Sequence, residues 1–488
     1  MKGYDFSLRT YAVYIFITSM MAYCFVYGFE ITHFTLSTDE EFADNLEQTL
    51  SLGRWGHALL HYFILPEPWL PFFTIMLGIT FLALSSVYIC RYLNLDLTLS
   101  LIYSLLLVGL PQAAFQLQFS NQADTFGIAM FLSCFSMQFL KRKTLKCSAL
   151  FILINVLAIS IYQASIMTPI TLYLLKEMFD YFRCDKSHKS SLLYALKMLF
   201  RLLACLIICC VIYKLVLVAM LKIFNVTASS YLGEFIGWQQ GVIHGLKFGV
   251  GSIAKYTSFK FAPYGMKLFS LVIPALLVIF IIALKKKKIE IFIFAVLAIF
   301  SVFTINILLG ANLPPRSLIQ APLVFAGLIT FVIYGLKRKE QGLYFSIVMV
   351  FIACMFSSRL FYSDYMAREA DAYVATKIVT QIGQQFVPVD DKPIAVFFIG
   401  KMTPNNAWRV EDSDTFGLSF FEWNRFRIQE YLRTINLAEY AQPPEDKINA
   451  LVAYSKTMPV WPAKNSIGIT EGIVIVKLGN QNTELEKN

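Results

Sequence analysis

A run of carboxylates follows the first long apolar segment of the chain. It occupies the end of Ser37-Thr38-Asp39-Glu40-Glu41. A carboxylate that is partly desolvated at a membrane surface and lies close to a fixed arginine can act as a general base. Asp39 and Glu40 are adjacent, so on a helix they would diverge, and one could face a reacting group while the other caps or orients. The same residues also fit a helix N-terminus in which Ser37 or Thr38 caps an acid-rich first turn.

Two arginines are candidates for holding a phosphate group. Arg54 lies in Gly53-Arg54-Trp55-Gly56, and Arg316 follows Pro314-Pro315 at the start of a late apolar segment. A guanidinium can grip a phosphate with two parallel hydrogen bonds. For Arg316 the alternative is an anchor that snorkels to the membrane surface.

Four further polar residues occur at the ends of apolar segments. Asn121 and Asp124 lie in a short turn, and Tyr162 and Gln163 lie between two short apolar stretches. Polar residues at membrane depth are usually buried against protein or line a cavity. These four are therefore candidates for a substrate cavity, although Asp124 also fits a simple cap of the helix that follows it.

Lysines mark a loop at about residues 224–265. Lys255 and Lys260 break the pattern in which basic residues gather on the cytoplasmic side. They indicate an anionic partner at the outer leaflet or contact with lipid headgroups. Because aromatic residues accompany them, the loop is typical of interfacial amphipathic helices.

A metal site is a weaker interpretation of the same region. His57 and His61 are four residues apart, so they would share a helix face and could bind a metal together with the acids. Two histidines beside a membrane surface are more often simply solvated, and no divalent site stands out. We therefore expect neither a metal nor another cofactor.

The elements that position these residues are membrane spans. The chain has 488 residues, of which 57% are hydrophobic and 15% charged, whereas soluble domains carry about 25% charged residues. A span needs about 20 apolar residues, because its backbone must satisfy its own hydrogen bonds in hydrocarbon. The apolar runs predict about eleven spans, near 10–33, 69–90, 97–116, 125–140, 147–162, 165–182, 196–223, 266–284, 289–309, 317–336 and 342–360.

The orientation of the spans follows from short basic clusters between the apolar runs. These clusters, such as Lys285 to Lys288, fall on one side of the predicted membrane, which the positive-inside rule makes cytoplasmic. The N-terminus is then cytoplasmic, and the net charge of +10 belongs to loops and does not indicate nucleic-acid binding. The outer loops are predicted at about 34–68, 116–124, 224–265 and 310–316.

The last part of the chain changes character. Residues 1–360 are predicted to form the transmembrane module, and residues 361–488 a small α/β domain on the outer, periplasmic side. In the tail a helix is predicted over about 362–386 and strands at 393–399 and 472–476. No P-loop, nucleophile elbow or dinucleotide fingerprint occurs in it. The predicted fold class is thus an α-helical polytopic membrane protein with a C-terminal α/β domain.

In combination, four short motifs resemble a known family. They are Asp39-Glu40 after the first span, Gly53-Arg54-Trp55-Gly56, Ile161-Tyr162-Gln163-Ala164, and Pro315-Arg316 at the opening of a late span. The chain is similar to the serotype-converting O-antigen glucosyltransferases of temperate phages, the GtrII-like family. The resemblance covers most of the membrane part and is weakest in the C-terminal part.

The resemblance implies a multispan architecture of the GT-C class in the bacterial inner membrane. Such enzymes take glucose from undecaprenyl-phosphate glucose and transfer it to lipid-linked O-antigen at the periplasmic face. The family pattern assigns the base to the acid near the first span, here Asp39 or Glu40. In an inverting transfer, that carboxylate deprotonates the acceptor hydroxyl while Arg316 and Arg54 stabilise the charge on the departing phosphate.

Two other functions remain open on sequence grounds. An O-antigen polymerase is also multispan and acts on lipid-linked sugars, but it needs neither an acid cluster at the first span nor a soluble C-terminal domain. A transporter or flippase for lipid-linked sugars would carry ionisable residues near mid-span and related halves. Lys214, inside the seventh predicted span, is the main candidate for such a residue.

Overall fold

The chain is largely helical and divides into two compact units in a computed structural model. The first unit contains Met1–Phe34, Asp44–Arg359 and Glu411–Asp414. The second contains Thr35–Ala43, Leu360–Val410 and Thr415–Asn488. The residues that the structure describes are 8–42, 45–66, 69–142, 144–184, 188–230, 233, 236–386 and 393–480.

The first unit consists of helices and short connections. Its helices are α1 (Leu8–Val26), α2 (Gly28–Thr32), α3 (Leu46–Ser51), α4 (Trp55–Phe63), α5 (Pro71–Tyr92), α6 (Leu97–Val108), α7 (Ala114–Leu117), α8 (Ser120–Leu140), α9 (Leu145–Ile161), α10 (Thr168–Arg183), α11 (His188–Ile223), α12 (Val242–Gly249), α13 (Gly251–Thr257), α14 (Val272–Lys286), α15 (Ile289–Val302), α16 (Thr304–Leu309), α17 (Ala321–Gly335) and the first part of α18 (Lys339–Gln385).

The lengths and compositions of these helices fit a membrane protein. Within the described residues, seven helical stretches are long and apolar enough to cross a bilayer, and α9, α15 and α17 are shorter apolar helices. The seven contain α1, α5, α6 with α7, α8, α11, α14 and α18. The prediction of a multispan helical protein is confirmed at this level, whereas the number of eleven spans stays a prediction.

Close helix crossings hold α4, which carries His57 and His61, and α8, which carries Asn121 and Asp124. A Cβ built on Gly78 of α5 would lie 2.3 Å from the carbonyl oxygen of Ala123 in α8, and one built on Gly127 would lie 2.3 Å from the carbonyl oxygen of Gly78. Gly56 of α4 approaches Ser160 of α9 in the same way, at 2.1 Å from the Ser160 Oγ. Only glycine permits these approaches.

The second unit contains a three-stranded sheet in the order β1-β3-β2. Its strands are β1 (Val396–Ile399), β2 (Ile467–Thr470) and β3 (Ile473–Lys477), and its helices are the end of α18, α19 (Arg425–Thr434) and α20 (Ile448–Ser455). β1 pairs with β3 in parallel, with Val396 opposite Val474, and β2 pairs with β3 antiparallel. The two strands predicted from the sequence are β1 and β3, and β2 was not predicted.

The core of the second unit lies on both faces of this sheet. Val396 and Phe398 pack in one cluster with residues of α18 and α19, whereas Phe397 and Ile399 pack in another with residues of α20. This alternation is what a strand with a period of two residues produces when both faces are buried. The helix predicted over 362–386 continues without a break from the apolar part of α18.

Candidate functional site

A tight turn presents Arg54 in the first unit. Gly53 adopts a positive φ of 83° between α3 and α4, a conformation that favours glycine. Gln163 Nε2 donates a 2.8 Å hydrogen bond to the Leu52 carbonyl, and Tyr213 Oη donates one of 2.9 Å to the Gly53 carbonyl. The predicted site residue Gln163 therefore shapes the turn in front of Arg54.

The Arg54 guanidinium lies among neutral polar groups. Its Nη1 donates a 2.7 Å hydrogen bond to Gln122 Oε1 at the start of α8. Its Cζ lies 5.4 Å from the centre of the Tyr162 ring, within the range of a cation–π contact. The Arg54 side chain is half-buried, so its positive charge is held in place by an amide and an aromatic ring.

Tyr162 connects this region to the backbone of Arg316. Its hydroxyl donates a 3.0 Å hydrogen bond to the Arg316 carbonyl and accepts one of 2.6 Å from Gln116 Nε2. Gln116 also donates to the Arg316 carbonyl, and Gln112 Nε2 donates to the Pro315 carbonyl at 2.9 Å. Three buried side chains thus fix the backbone at Pro315-Arg316.

The Arg316 side chain lies beside a carboxylate that the sequence interpretation missed. Arg316 Nε is 3.7 Å from Asp414 Oδ2, and its Cζ lies 5.3 Å from the centre of the Phe119 ring. Asp414 belongs to the first unit with Glu411–Asp414, although it stands far along the chain. No sequence motif surrounds Asp414, so only its contact with Arg316 identifies it.

Tyr162 contacts both arginines. The Arg54 guanidinium lies over its ring, and its hydroxyl donates a hydrogen bond to the Arg316 carbonyl. The region defined by Arg54, Tyr162, Arg316 and Gln116, which we call the arginine cluster, offers two cations and fixed polar groups to an anion.

A second polar group lies behind Arg54, where α4 meets α8. His57 Nδ1 is 2.8 Å from Thr125 Oγ1, and His61 Nε2 is 3.5 Å from Asp124 Oδ1. Asp124 is fully buried and also accepts the backbone N–H of Thr125 at 2.6 Å. The predicted residue Asp124 is thereby placed against α4, where it supports the helix that follows Arg54.

The charge state of His57 is determined by its burial. Burial lowers the pKa of His57 well below the usual value, and the neighbouring His61 and Arg54 also lower it. His57 is therefore neutral at pH 7. Asn121, the other predicted residue in this part of α8, is also buried. Within the described part of the chain, no group of three or more His, Cys, Asp or Glu could hold a metal ion.

The carboxylates near the first span belong to the second unit. Asp39 Oδ1 accepts a 2.8 Å bond from Arg427 Nη2, and Glu41 pairs with Arg427 Nε. Ser37 to Glu40 form a turn closed by the 3.1 Å hydrogen bond from the Glu40 N–H to the Ser37 carbonyl, so the alternative of a helix start at these residues is wrong. Glu40 is fully buried, and its Oε2 accepts the backbone N–H of Ser37 at 2.8 Å.

Asp39 and Glu40 consequently differ in what their side chains can reach. The Asp39 side chain is 40% exposed, and its backbone has a φ of 89°, which is uncommon for a residue other than glycine and occurs often at functional sites. Its partner Arg427 lies 4.2 Å from the centre of the Trp423 ring. Burial alone would lower the pKa of Arg427. The contacts with Glu41 and Asp39 have a larger, opposite effect, so the pKa of Arg427 is raised.

The structure does not bring Lys255 and Lys260 into the arginine cluster through any described contact. Their Nζ atoms lie over the rings of neighbouring aromatic residues, Tyr256 at 5.8 Å and Phe261 at 5.5 Å. The Tyr256 hydroxyl donates a 2.9 Å hydrogen bond to the carbonyl of Leu313. The helix with Lys255 is therefore tied to the segment just before Arg316.

Comparison with known proteins gives one match. A family model described as "Glucosyl transferase GtrII" matches residues 28–334. All the predicted site residues lie in this range, whereas Asp414 and Arg427 lie beyond it. A search of curated proteins and a search of solved structures each found no match.

Proposed function

Because the chain belongs to the GtrII glucosyl transferase family, we propose that it moves glucose from undecaprenyl-phosphate glucose to lipid-linked O-antigen. The reaction takes place at the periplasmic face of the bacterial inner membrane, with the N-terminus in the cytoplasm and the second unit in the periplasm. The glucosyl transferase match favours this activity over an O-antigen polymerase or a flippase. Neither a metal nor another cofactor takes part in the proposed reaction.

The observation that carries the proposal is the arginine cluster. The Arg54 guanidinium lies over the Tyr162 ring, the Tyr162 hydroxyl binds the Arg316 carbonyl, and the backbone at Arg316 is fixed by buried hydrogen bonds. Preorganised cations stabilise the charge that develops on a leaving phosphate without reorganisation at the moment of reaction. In the proposed site, Arg54 and Arg316 bind the donor phosphate. Asp414 holds the Arg316 side chain in position.

The other predicted residues support this phosphate site. Gln163 shapes the turn in front of Arg54, and Asp124, beside His61, supports the helix that follows it. Asn121 is buried at the start of α8, next to Gln122, which binds Arg54. Lys255 and Lys260 contribute positive potential that attracts the anionic donor, an effect that decays over about 10 Å at moderate salt.

Asp39 is the proposed base, in preference to Glu40. The Asp39 side chain is partly exposed, whereas Glu40 is buried and already accepts the Ser37 N–H. The acceptor hydroxyl oxygen attacks the anomeric carbon of glucose as its proton passes to Asp39. The bond from that carbon to the phosphate oxygen breaks, and undecaprenyl phosphate leaves with the electron pair, so that the configuration at the anomeric carbon inverts.

Arg427 holds the Asp39 side chain in position through the 2.8 Å contact between Arg427 Nη2 and Asp39 Oδ1. A positioned general base contributes about 10²–10⁴-fold to the rate. Arg427→Gln is therefore expected to weaken Asp39 as a positioned base, with an effect on kcat larger than that on the KM of either substrate.

The test is transfer of labelled glucose from polyprenyl-phosphate glucose to lipid-linked O-antigen in membranes that contain the full chain. We expect Asp39→Asn to lower kcat by about 10²–10⁴-fold with little change in donor KM. Arg316→Ala is expected to lower kcat/KM by about 10²–10³-fold. Asp96→Asn is a matched control, because Asp96 caps α6 and pairs with Lys339 on another part of the unit.

The outcomes separate the parts of the proposal. No transfer by the unsubstituted protein, with both lipid substrates present, rejects the function. Full activity of Asp39→Asn together with loss in Glu40→Gln, at equal protein levels, moves the base to Glu40. Retained activity in Asp39→Asn, Glu40→Gln and Arg316→Ala rejects the assignment of the site.

A further inference from the structure

The segment from Gly237 to Phe261 presents glycine to the protein and large apolar side chains to the outside. On its inner face, a Cβ at Gly245 would lie 2.2 Å from the Trp238 ring. A Cβ at Gly249 would lie 3.0 Å from the carbonyl oxygen of Asn306 in α16. The absence of side chains at these two positions of α12 allows close contact, which fixes the face that points inward.

Trp238 locks this arrangement. Its Nε1 lies within hydrogen-bond distance of the carbonyls of Ile307 and Leu308, at 3.1 Å and 2.9 Å. These carbonyls lie in the last turn of α16, where helix carbonyls lack partners within the helix. These hydrogen bonds fix the Trp238 ring on α16, and Gly245 of α12 packs against that ring.

The outer face of α12 is strongly apolar and exposed. Ile243 is 83% exposed, Val242 69% and Leu246 50%. The loop after α13 also exposes Phe259 and Phe261. Exposed large apolar side chains gathered in one segment are typical of an interaction site.

The charge of the same segment is of one sign. Lys247, Lys255 and Lys260 lie in it, and the sequence contains no Asp or Glu between Glu234 and Glu290. Lys247 and Lys260 lie over the rings of the phenylalanines next to them, at 5.5 Å in each case. Their stems thus run along apolar surface, as the stems of snorkelling lysines do.

The length of α12 excludes a membrane span formed by this helix. α12 has eight residues, or about 12 Å of helix at 1.5 Å per residue, against about 30 Å of hydrocarbon. A short helix with an exposed apolar face and lysines beside it suits the boundary between acyl chains and headgroups. A soluble acidic protein would satisfy the lysines but would leave the apolar face unexplained unless it brought apolar residues as well.

We propose that α12, α13 and the loop to Phe261, here called the lysine segment, lie in the plane of the bilayer and bind anionic phospholipid. Val242, Ile243 and Leu246 enter the acyl region, while Lys247 and Lys260 contact headgroup phosphates. The Tyr256–Leu313 hydrogen bond then connects the lipid-bound segment to the backbone that leads to Arg316. This inference concerns lipid binding and does not depend on glucosyl transfer.

A photo-crosslinking experiment on the full chain tests the location. A benzophenone amino acid is placed at Ile243 in nanodiscs of phosphatidylglycerol and phosphatidylcholine, and adducts are identified by mass spectrometry. Position 207 in α11 is the control for acyl contact, because Ile207 is 64% exposed in a candidate span. Position 454 is the control for solvent, because Tyr454 is 40% exposed on α20 of the second unit. We expect lipid adducts at positions 243 and 207 and none at position 454.

The lysines are tested by the composition of those adducts. A basic residue near an anionic surface contributes about fivefold to its affinity. We therefore expect phosphatidylglycerol to be enriched several-fold at position 243 over its share of the nanodisc lipids. The variant Lys247→Gln/Lys255→Gln/Lys260→Gln should lose that enrichment. The matched variant Lys285→Gln/Lys286→Gln/Lys287→Gln, with the same change in charge, should keep it.

Three outcomes overturn the proposal. The first is the absence of lipid adducts at position 243 when position 207 forms them. The second is an adduct with a second copy of the chain, which makes the face a protein interface. The third is equal enrichment in the protein with its lysines and in the lysine-to-glutamine variant, which removes the role of the charges.

Discussion

Replacing Gly56 by alanine is expected to disturb the phosphate site through a single methyl group. Gly56 lies in the first turn of α4, two residues after Arg54, and faces Ser160 of α9. An added Cβ would lie 2.1 Å from the Ser160 Oγ, more than 1 Å short of ordinary contact. Rotation of the Ser160 hydroxyl would not suffice, because the Ser160 Cβ and backbone carbon would remain at 3.0 Å and 3.1 Å.

Helices α4 and α9 must therefore move apart, and the cost in stability can be taken from other overpacked contacts. Insertion of a methyl group into a packed contact costs about 1–3 kcal/mol. A displacement of about 1 Å at a catalytic group can cost about 10²-fold in rate. Since Arg54 directly precedes α4, we expect Gly56→Ala to lower thermal stability and to reduce kcat/KM for the donor by 10- to 100-fold. The first is measured by thermal unfolding in detergent, the second by glucose transfer.

Two variants make the test specific to the Gly56 contact. Gly28→Ala adds the same methyl group where nothing lies within 4 Å, and it should change neither stability nor activity appreciably. Gly56→Ala/Ser160→Gly removes the 2.1 Å and 3.0 Å contacts and should recover most of the activity lost in Gly56→Ala. The reasoning is refuted if Gly56→Ala behaves like Gly28→Ala, or if the double variant is no more active than the single one.

Three further substitutions test other parts of the first unit. Tyr162→Phe removes the hydrogen bond to the Arg316 carbonyl, worth about 0.5–1.5 kcal/mol, and should lower donor kcat/KM by about 3- to 10-fold in the transfer assay without loss of folded protein. His57→Gln should reduce the acid sensitivity of thermal unfolding between pH 7.5 and 5.5. Below about pH 6.5, His57 binds a proton in the unfolded chain but not in the folded protein, where it is buried beside His61. The free energy of unfolding therefore decreases as the pH is lowered, by up to about 1.4 kcal/mol per pH unit. Equal pH slopes in both proteins would contradict this. Gly127→Ala places a Cβ 2.3 Å from a carbonyl of α5 and should lower the unfolding temperature more than Gly28→Ala does.

Some features of the fold can be predicted from the sequence, because they depend on the hydropathy of adjacent residues. Apolar runs of about 20 residues predict helices that can cross a bilayer, and the long helices α5, α8 and α11 agree with predicted spans. Two apolar strands of the C-terminal sheet were also predicted. The third, β2, was missed because Gly468 interrupts it and because it joins β3 through Glu471-Gly472, where both residues have positive φ. That turn type is usually signalled by Asn-Gly or Asp-Gly.

The acid cluster shows where such local reasoning ends. Ser37 and Thr38 before acids have the pattern of a helix cap, yet these residues form a turn. Ser37 Oγ donates to Asp364 Oδ2 at 2.7 Å, and Asp39 pairs with Arg427. Both partners stand more than 300 positions further along the sequence. These carboxylates are therefore organised by a long-range hydrogen bond and an ion pair, and not by the dipole of a helix as the sequence pattern suggests.

The sequence by itself determined that the chain is a multispan helical protein, and its short motifs indicated the family and the residues Arg54 and Arg316. Only the tertiary structure decided that Asp414 lies at Arg316, that Asp124 is buried against His61, and that Glu40 is enclosed while its neighbour is partly exposed. The physical reason is that hydropathy and helix period are properties of adjacent residues. The environment of a charged side chain depends instead on which distant segments pack against it.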